Sequence, residues 1–290
     1  MTAPISNSSV PRRRLGQELR RLRERQDHVS PTSPAGMLRW PAIKLYRMER
    51  GEMPVRAEDV ALLCELYGAE PSMTEALVGL AAKTREKGWW HDYASLPPGF
   101  DVYAGFEETA SRLRIFHIQL IPGLLQTKEY ATTVIDANVS NAHVTYDVVT
   151  AQLARASVLT RIYPTPPDVD VVLDESALLR TVGTPEIMAD QLRRVVDAGQ
   201  LPNVSVRVLP FAAGLPAGTA TCTPFTILDF PDASEPTIVH HEMLTGALFL
   251  DKQTEVDLYA QAYDNIRSAC LSEDESRELL LTAARTASNS

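Results

Sequence analysis

The stretch PAIKLYRMERG, residues 41–51, has the pattern of a short helix that ends at a glycine. Pro41 favours the first turn of a helix, and Gly51 favours its end, because glycine tolerates the left-handed conformation that closes many helices. Leu45 and Met48 lie three residues apart, which predicts one buried stripe. The charged residues of such a helix are either simply exposed to solvent or in contact with DNA.

The residues just before this stretch predict a second short helix, from 34 to about 39, with Ser33 as its N-cap. Two short helices joined by a sharp turn are typical of a helix-turn-helix, whose second helix enters the major groove of DNA. The buried seam between them is predicted to consist of Ala35, Leu38, Leu45 and Met48. The DNA-binding residues predicted on this basis are Arg12, Arg13, Arg14, Thr32, Ser33, Pro41, Ala42, Ile43, Lys44, Tyr46 and Arg47.

These side chains differ in the contacts that they offer to DNA. Lys44 and Arg47 suit phosphate oxygens or guanine edges, and Tyr46 suits a phosphate or a sugar. Residues 12–14 are three consecutive arginines, which predict a mobile basic arm.

The flanking segments predict three more helices, so that residues 11–88 form a five-helix domain. Leu15, Leu19 and Leu22 mark the first helix, and Gly68 ends the fourth. The fifth is predicted to have Ser72 as its cap and Gly88 as its stop. Residues 1–10 are predicted to be a disordered tail, and the aromatic and proline-containing residues 89–104 a linker.

The charge of the chain is distributed unevenly. Its formal net charge is -9, yet residues 11–50 hold eleven Lys or Arg against four Asp or Glu. A basic module on an acidic body indicates nucleic-acid binding by the module and a different task for the body. The alternative is a basic helix face that only keeps the protein soluble.

Residues 105–290 predict an α+β domain with a small sheet. The pattern predicts helices at 105–116, 126–138, 145–162, 184–200, 253–270 and 273–285, and strands at 169–176, 204–210, 224–230, 237–243 and 246–251. The helix from 126 is predicted to be capped near Thr127.

No catalytic or metal-binding pattern is apparent, so the sequence predicts no enzyme, no cofactor and no metal. It has no G-x-S-x-G, P-loop or G-x-G-x-x-G motif, and its three cysteines are far apart. In a strand, His240 and Glu242 share one face while His241 lies opposite, which is too few convergent ligands for a metal. Trp89 and Trp90 are predicted either to join the two domains or to line a ligand pocket or partner groove.

The chain resembles a known family of bacterial regulators. The segments LGQELRRLRE, WPAIKLYRMERGEMPV and VALLCELYG resemble the helix-turn-helix of Xre-type, lambda-repressor-like regulators. GWWHDY, IPGLLQTKEYA, VVLDESALLR, LPNVSVRVLPF and PFTILDF resemble the actinobacterial members that add a C-terminal domain of unknown function. The resemblance implies a DNA-binding transcriptional regulator, and such genes often neighbour one for a small partner protein, in an antitoxin-like arrangement.

Two segments depart from the family pattern. Ser30 and Pro31 stand where the family usually has a Thr-Gln-like pair that caps the helix and contacts phosphate, and the reading helix begins with apolar Pro41-Ala42-Ile43.

From the charge distribution and the resemblance, we expect a cytoplasmic, homodimeric transcriptional regulator that binds double-stranded DNA. We expect it to possess no membrane segment and to have a body that binds an effector or partner. The alternatives are an antitoxin-like protein-interaction module with weak or no DNA binding, and an enzyme housed in the body.

Overall fold

The chain divides into two units, each with its own core. The structure is a computed structural model that describes residues 10–26, 32–49, 51, 53, 55–84, 93, 96–137, 142–162, 165–231 and 235–289. The first unit contains the first five helices and residues 101–106, and the second contains the remaining helices and a sheet. This is the α+β architecture that the sequence predicts.

The first unit is helical throughout its described residues. Its helices are α1 (Val10–Arg25), α2 (Thr32–Met37), α3 (Ala42–Glu49), α4 (Ala57–Leu66) and α5 (Pro71–Lys83). Gly51 and Gly68 have φ values of 67° and 62°, so each supplies the left-handed residue that follows a helix, as predicted for α3 and α4.

The core of this unit is the predicted one. Leu15, Leu19 and Leu22 of α1 are buried, and Leu45 and Met48 of α3 pack in the same cluster. Burying a leucine or methionine side chain contributes about 1.5–3 kcal/mol, so this stripe orients α3 against α1. The seam prediction is confirmed, because Ala35 is also buried and Leu38 packs against the cluster.

Two predicted helix starts are wrong. Helix α2 begins at Thr32, so Ser33 lies inside the helix and is not its N-cap. The helix ends at Met37, before the predicted end near residue 39, and the turn to α3 follows. Helix α5 is capped by Glu70 with Pro71 in its first turn, so Ser72 is not the cap. The predicted stop at Gly88 lies outside the described residues.

The second unit is built on a six-stranded sheet. Its strands are β1 (Arg112–His117), β2 (Asp168–Asp174), β3 (Val204–Leu209), β4 (Phe225–Asp229), β5 (Ile238–Met243) and β6 (Gly246–Leu250), in the order β3-β2-β1-β4-β5-β6. Strands β1, β2 and β3 are parallel, and β4, β5 and β6 continue the sheet with antiparallel pairing. Helix α6 (Phe100–Thr109) has residues 101–106 in the first unit and its two ends in the second. The other helices of the second unit are α7 (Lys128–Asp136), α8 (Ala142–Arg155), α9 (Ser176–Leu179), α10 (Pro185–Ala198), α11 (Gln253–Ser268) and α12 (Glu273–Ser288).

The central strand β1 was not predicted. The predicted helix 105–116 is wrong beyond residue 109, because α6 ends at Thr109 and residues 112–117 form a strand. The buried Leu113 and Ile115 alternate with Arg112 and Arg114, which are less buried, and this is the two-residue period of a strand. Helix α6 also begins at Phe100, inside the segment predicted as a linker.

Each face of the sheet carries an apolar layer. On one face, Phe116, Phe225 and Val239 pack against Tyr263 and Ile266 of α11. Two helices of this unit, α7 and α10, begin at threonine caps, as the sequence predicts. The Thr127 hydroxyl accepts a hydrogen bond from the Tyr130 N–H, and the Thr184 hydroxyl accepts one from the Ile187 N–H.

Candidate nucleic-acid interface

Helix α3 presents one buried side and one exposed side. Leu45 and Met48 have no accessible surface, while Ile43 is 62% exposed and Tyr46 is 46% exposed. The exposed positions of the segment are Pro41, Ala42, Ile43, Tyr46 and Arg47. The structure therefore brings five of the six predicted groove-side residues onto one accessible surface, which we call the α3 surface.

The turn between α2 and α3 contains a backbone conformation that favours glycine. Arg39 has a φ of 56°, and it is the one non-glycine residue with positive φ in the part of the chain that the structure describes. The Trp40 N–H donates to the Ala35 carbonyl over 2.8 Å, and the Lys44 N–H donates to the Pro41 carbonyl over 2.9 Å. These bonds satisfy backbone groups of the turn and fix the angle at which α3 begins.

Lys44 makes two contacts within the first unit. Its Nζ lies 2.9 Å from Asp59 Oδ2 and 3.7 Å from the centroid of the Trp40 ring. The ammonium thus joins α3 to α4 and to the turn. Reaching a phosphate would require it to exchange the Asp59 carboxylate for that phosphate.

The buried end of α3 is attached to α1 by an ion pair. Arg23 Nε lies 2.6 Å from Glu49 Oε1, and Arg23 Nη2 lies 2.9 Å from Glu49 Oε2. Both side chains are about 95% buried, and the hydrogen bond to Glu49 raises the pKa of Arg23. The pairing is bidentate, so it fixes orientation as well as distance.

A close backbone contact reinforces this attachment. A Cβ placed on Gly16 of α1 would lie 2.6 Å from the carbonyl oxygens of both Met48 and Glu49. Only glycine permits α1 to approach the last turn of α3 this closely. The sequence prediction missed both contacts, because their partners are 26 or more residues apart and carry no local signal.

The predicted basic arm belongs to the first helix. Residues 12–14 lie within α1, so the prediction that they form a mobile arm is wrong. Arg12 Nε donates to the Thr84 carbonyl over 3.0 Å, which ties the start of α1 to the end of α5. The side chains of Arg13, Arg14, Thr32 and Ser33 lie outside what the structure describes, as do residues 89 and 90, the predicted Trp pair.

Two arginines of α1 are paired with carboxylates of the same helix. Arg20 Nε lies 2.8 Å from Glu24 Oε1, and Arg21 Nη1 lies 2.7 Å from Glu18 Oε1. Exposed pairs of this type are weak, so their arginines can exchange a carboxylate for a phosphate at small cost. These pairs leave the net charge of the first unit unchanged, because Glu18 and Glu24 are already among its counted acidic residues.

The two histidines of the His-His-Glu sequence in the second unit lie on opposite faces of the sheet. His241 is buried against the α11 face of the sheet, where its ring lies 4.9 Å from the Tyr259 ring, while His240 lies on the other face. Over the described ranges, no three His, Cys, Asp or Glu side chains converge as metal ligands do. In the same ranges, no helix is long and apolar enough to cross a bilayer.

Comparison with known families separates the chain into the same two parts. Residues 14–77 match a family described as a helix-turn-helix domain. Residues 100–282 match a domain of unknown function, DUF5753, over more than half of the chain. No curated protein and no solved structure matches the chain.

Proposed function

Because this chain belongs to the DUF5753 family and carries a helix-turn-helix domain, we propose that it is a sequence-specific DNA-binding transcriptional regulator. One observation carries the proposal: the α3 surface is exposed while the opposite side of α3 is locked to α1. A helix that reads DNA needs an exposed side and a firmly attached side, because its side chains must reach base edges from a fixed backbone.

The chemistry of the α3 surface defines the contacts. Arg47 suits a guanine edge or a phosphate, and the Tyr46 hydroxyl suits a phosphate. Ala42 and Ile43 offer only apolar contact, which suits thymine methyl groups. We infer that Lys44 acts mainly as a support for α3, because it is already paired with Asp59.

We further propose an Xre-type regulator that acts as a cytoplasmic homodimer. An α3 of eight residues is about 12 Å long, so one copy reads few base pairs. Two copies on half-sites about one DNA turn apart gain affinity over one. The domain boundaries near residues 88 and 104 and the role of the body in binding an effector or partner protein belong to this proposal.

The test is selection of genomic DNA fragments by the full chain. Wild type is compared with Tyr46→Ala/Arg47→Ala and with Arg193→Ala, which removes an exposed arginine of α10 in the second unit. We expect wild type and Arg193→Ala to enrich one two-fold-symmetric site. The double variant should bind that site at least about tenfold more weakly, since each lost contact costs about 1–3 kcal/mol. Equal enrichment by all three proteins would refute the assignment of α3.

An antitoxin-like protein-interaction module is the second candidate. The observation that favours it is the apolar character of this region, where Met37 is 60% exposed and Ile43 is 62% exposed. Such a surface suits a partner protein better than a polyanion. Under this alternative, wild type binds duplex DNA weakly and without sequence preference, and its affinity falls steeply with salt.

A further inference from the structure

A cavity lies at the edge of the sheet in the second unit, beside strand β3. Its volume is about 150 Å³, and it is lined by the end of α10, the start of α12 and β3. Strand β3 is an outermost strand of the sheet, so only one of its two sides is paired with another strand. Val206 of β3 lines the cavity together with Arg277 and Leu280 of α12.

The middle residue of β3 directs its backbone groups away from the sheet. The Asn203 carbonyl accepts a hydrogen bond of 2.8 Å from β2, and the Leu209 carbonyl accepts one of 3.0 Å from the residue that follows β2. Successive backbone groups of a strand point in opposite directions, so residues 204, 206 and 208 direct theirs away from β2. The N–H and C=O of Val206 therefore point to the edge of the sheet.

The two ends of this edge are already closed. The Val208 N–H donates to the Ser276 hydroxyl over 2.9 Å, and the Val208 carbonyl accepts from the Leu271 N–H over 3.0 Å. At the other end, the Val204 N–H donates to the Leu201 carbonyl over 3.1 Å. A continuous strand from another molecule therefore cannot pair along β3.

Val206 keeps a donor and an acceptor between these closed ends. Among the residues that the structure describes, none bonds to its N–H or to its C=O, although Val206 is only 6% exposed. Buried backbone groups nearly always have a hydrogen-bonding partner. A ligand that supplies this partner has room to pair with one residue of β3.

The walls of the cavity are apolar. Val195, Val196 and Leu280 line it and are buried. An apolar cavity of about 150 Å³ holds a molecule of the size of benzene, so an aliphatic side chain of about four carbons fits.

Asp274 and Arg277 give the rim of the cavity one charge of each sign. Their side chains are 94% and 51% exposed, and Arg277 Nη2 lies 3.5 Å from Asp274 Oδ1. An exposed pair at this distance is weak, so each side chain can exchange its partner for a ligand group at small cost. Glu273 also lines the cavity, but its carboxylate already accepts from Arg207 over 3.0 Å and from Ser205 over 2.8 Å.

We propose that this cavity binds a free aliphatic amino acid such as leucine. The ammonium and carboxylate of an amino acid are placed like the N–H and C=O of a strand residue, so they can bond to the C=O and N–H of Val206 as in an antiparallel pair. Asp274 would attract the ammonium, Arg277 would bind the carboxylate, and the aliphatic side chain would lie against the apolar walls. The inference rests on the part of the proposed function in which the body binds an effector, and it is independent of DNA binding by the first unit.

The test is a titration of the full chain with L-leucine, followed by calorimetry and by NMR of the backbone amides. We expect the Val206 amide signal to move, while the amide signals of β5 and β6, at the far side of the sheet, stay in place. Isocaproate lacks the ammonium, isopentylamine lacks the carboxylate, and glycine lacks the side chain. Each should bind at least about tenfold more weakly than leucine, because each loses a charged hydrogen bond or the apolar contact.

Variants of the cavity give an independent readout. Gly199→Ala would place a Cβ 3.6 Å from Val206 Cγ2 and 3.5 Å from the Val196 carbonyl oxygen, which are ordinary contact distances. It should weaken leucine binding at least about fivefold by filling part of the cavity, and leave thermal unfolding unchanged. Arg277→Gln should weaken leucine binding at least about fivefold and leave isopentylamine binding unchanged. Arg285→Gln, which replaces an exposed arginine farther along α12, is the matched control and should bind leucine like wild type.

Three results would each overturn the proposal. They are an unmoved Val206 amide signal at millimolar leucine, equal binding of leucine and isocaproate, and undiminished leucine binding by Gly199→Ala and Arg277→Gln. N-acetylleucinamide presents the same residue as part of a peptide, and tighter binding of this compound than of leucine would replace the amino acid by a peptide end. Selection of DNA fragments is a separate measurement, so each of these results leaves the assignment of α3 untouched.

Discussion

Replacing Gly16 with alanine tests how α3 is held. The new Cβ would lie 2.6 Å from two backbone carbonyl oxygens at the end of α3, whereas ordinary contact begins near 3.4 Å. Backbone oxygens cannot rotate away, so α1 and α3 must separate by about 0.8 Å in a tightly packed region. Overpacking of this kind costs about 1–3 kcal/mol.

Alanine also brings a benefit that must be subtracted. In a helix interior it is more favourable than glycine by about 1 kcal/mol. We therefore expect Gly16→Ala to lower the free energy of unfolding of the first unit by up to about 2 kcal/mol. Gly79→Ala in α5 is the matched control, because its Cβ meets no atom within 4 Å, and it should raise that free energy by about 1 kcal/mol.

Hydrogen exchange of the intact protein is the suitable assay, because it reports each helix separately in a chain of two units. Amides of α1 and α3 should exchange up to about 30-fold faster in Gly16→Ala than in wild type, and amides of the sheet should be unaffected. Slower exchange in Gly16→Ala, as expected for Gly79→Ala, would show that α1 and α3 do not make this close approach.

Two further predictions concern buried charge. Arg23→Met leaves Glu49 buried without its partner and should lower the free energy of unfolding of the first unit by about 3–5 kcal/mol. Arg23→Met/Glu49→Leu should recover most of this loss. A double-mutant cycle by hydrogen exchange measures both effects, and an equal loss in the single and the double variant would refute the pairing. Burial lowers the pKa of His117 to about 4 in the folded state, against 6.5 when the side chain is exposed. Its contribution to the free energy of unfolding is therefore fully present above pH 6.5 and is lost as the pH falls towards 4. Urea unfolding should show a loss of about 3 kcal/mol over this window that His117→Gln abolishes, and the same pH dependence in both proteins would contradict it.

Local patterns were sufficient to predict most of the helices. The spacing of Leu15, Leu19 and Leu22 predicts the buried side of α1, and Gly51 predicts the end of α3. Alternation also separates His240 from His241 correctly, because neighbouring strand residues must point to opposite faces. Signals of this kind act over a few residues.

Features that depend on distant partners could not be predicted in the same way. Strand β1 forms because β2 and β4 supply its hydrogen bonds, and those strands begin more than 50 residues later. The sequence predicts that Lys44 binds DNA, but the fold places the Asp59 carboxylate beside its ammonium group. His117 carries no motif at all, and only the order of the strands gives it a neighbour in His240.

The attachment of α3 to α1 uses different residues of α3 from those that form its exposed surface. The residues that hold α3 in place are Leu45, Met48 and Glu49, and none of them lies on the α3 surface. Exchanging Ala42, Ile43, Tyr46 or Arg47 therefore leaves these anchoring contacts intact. Substitutions at these four positions can therefore change what the α3 surface contacts while Leu45, Met48 and Glu49 keep their places against α1.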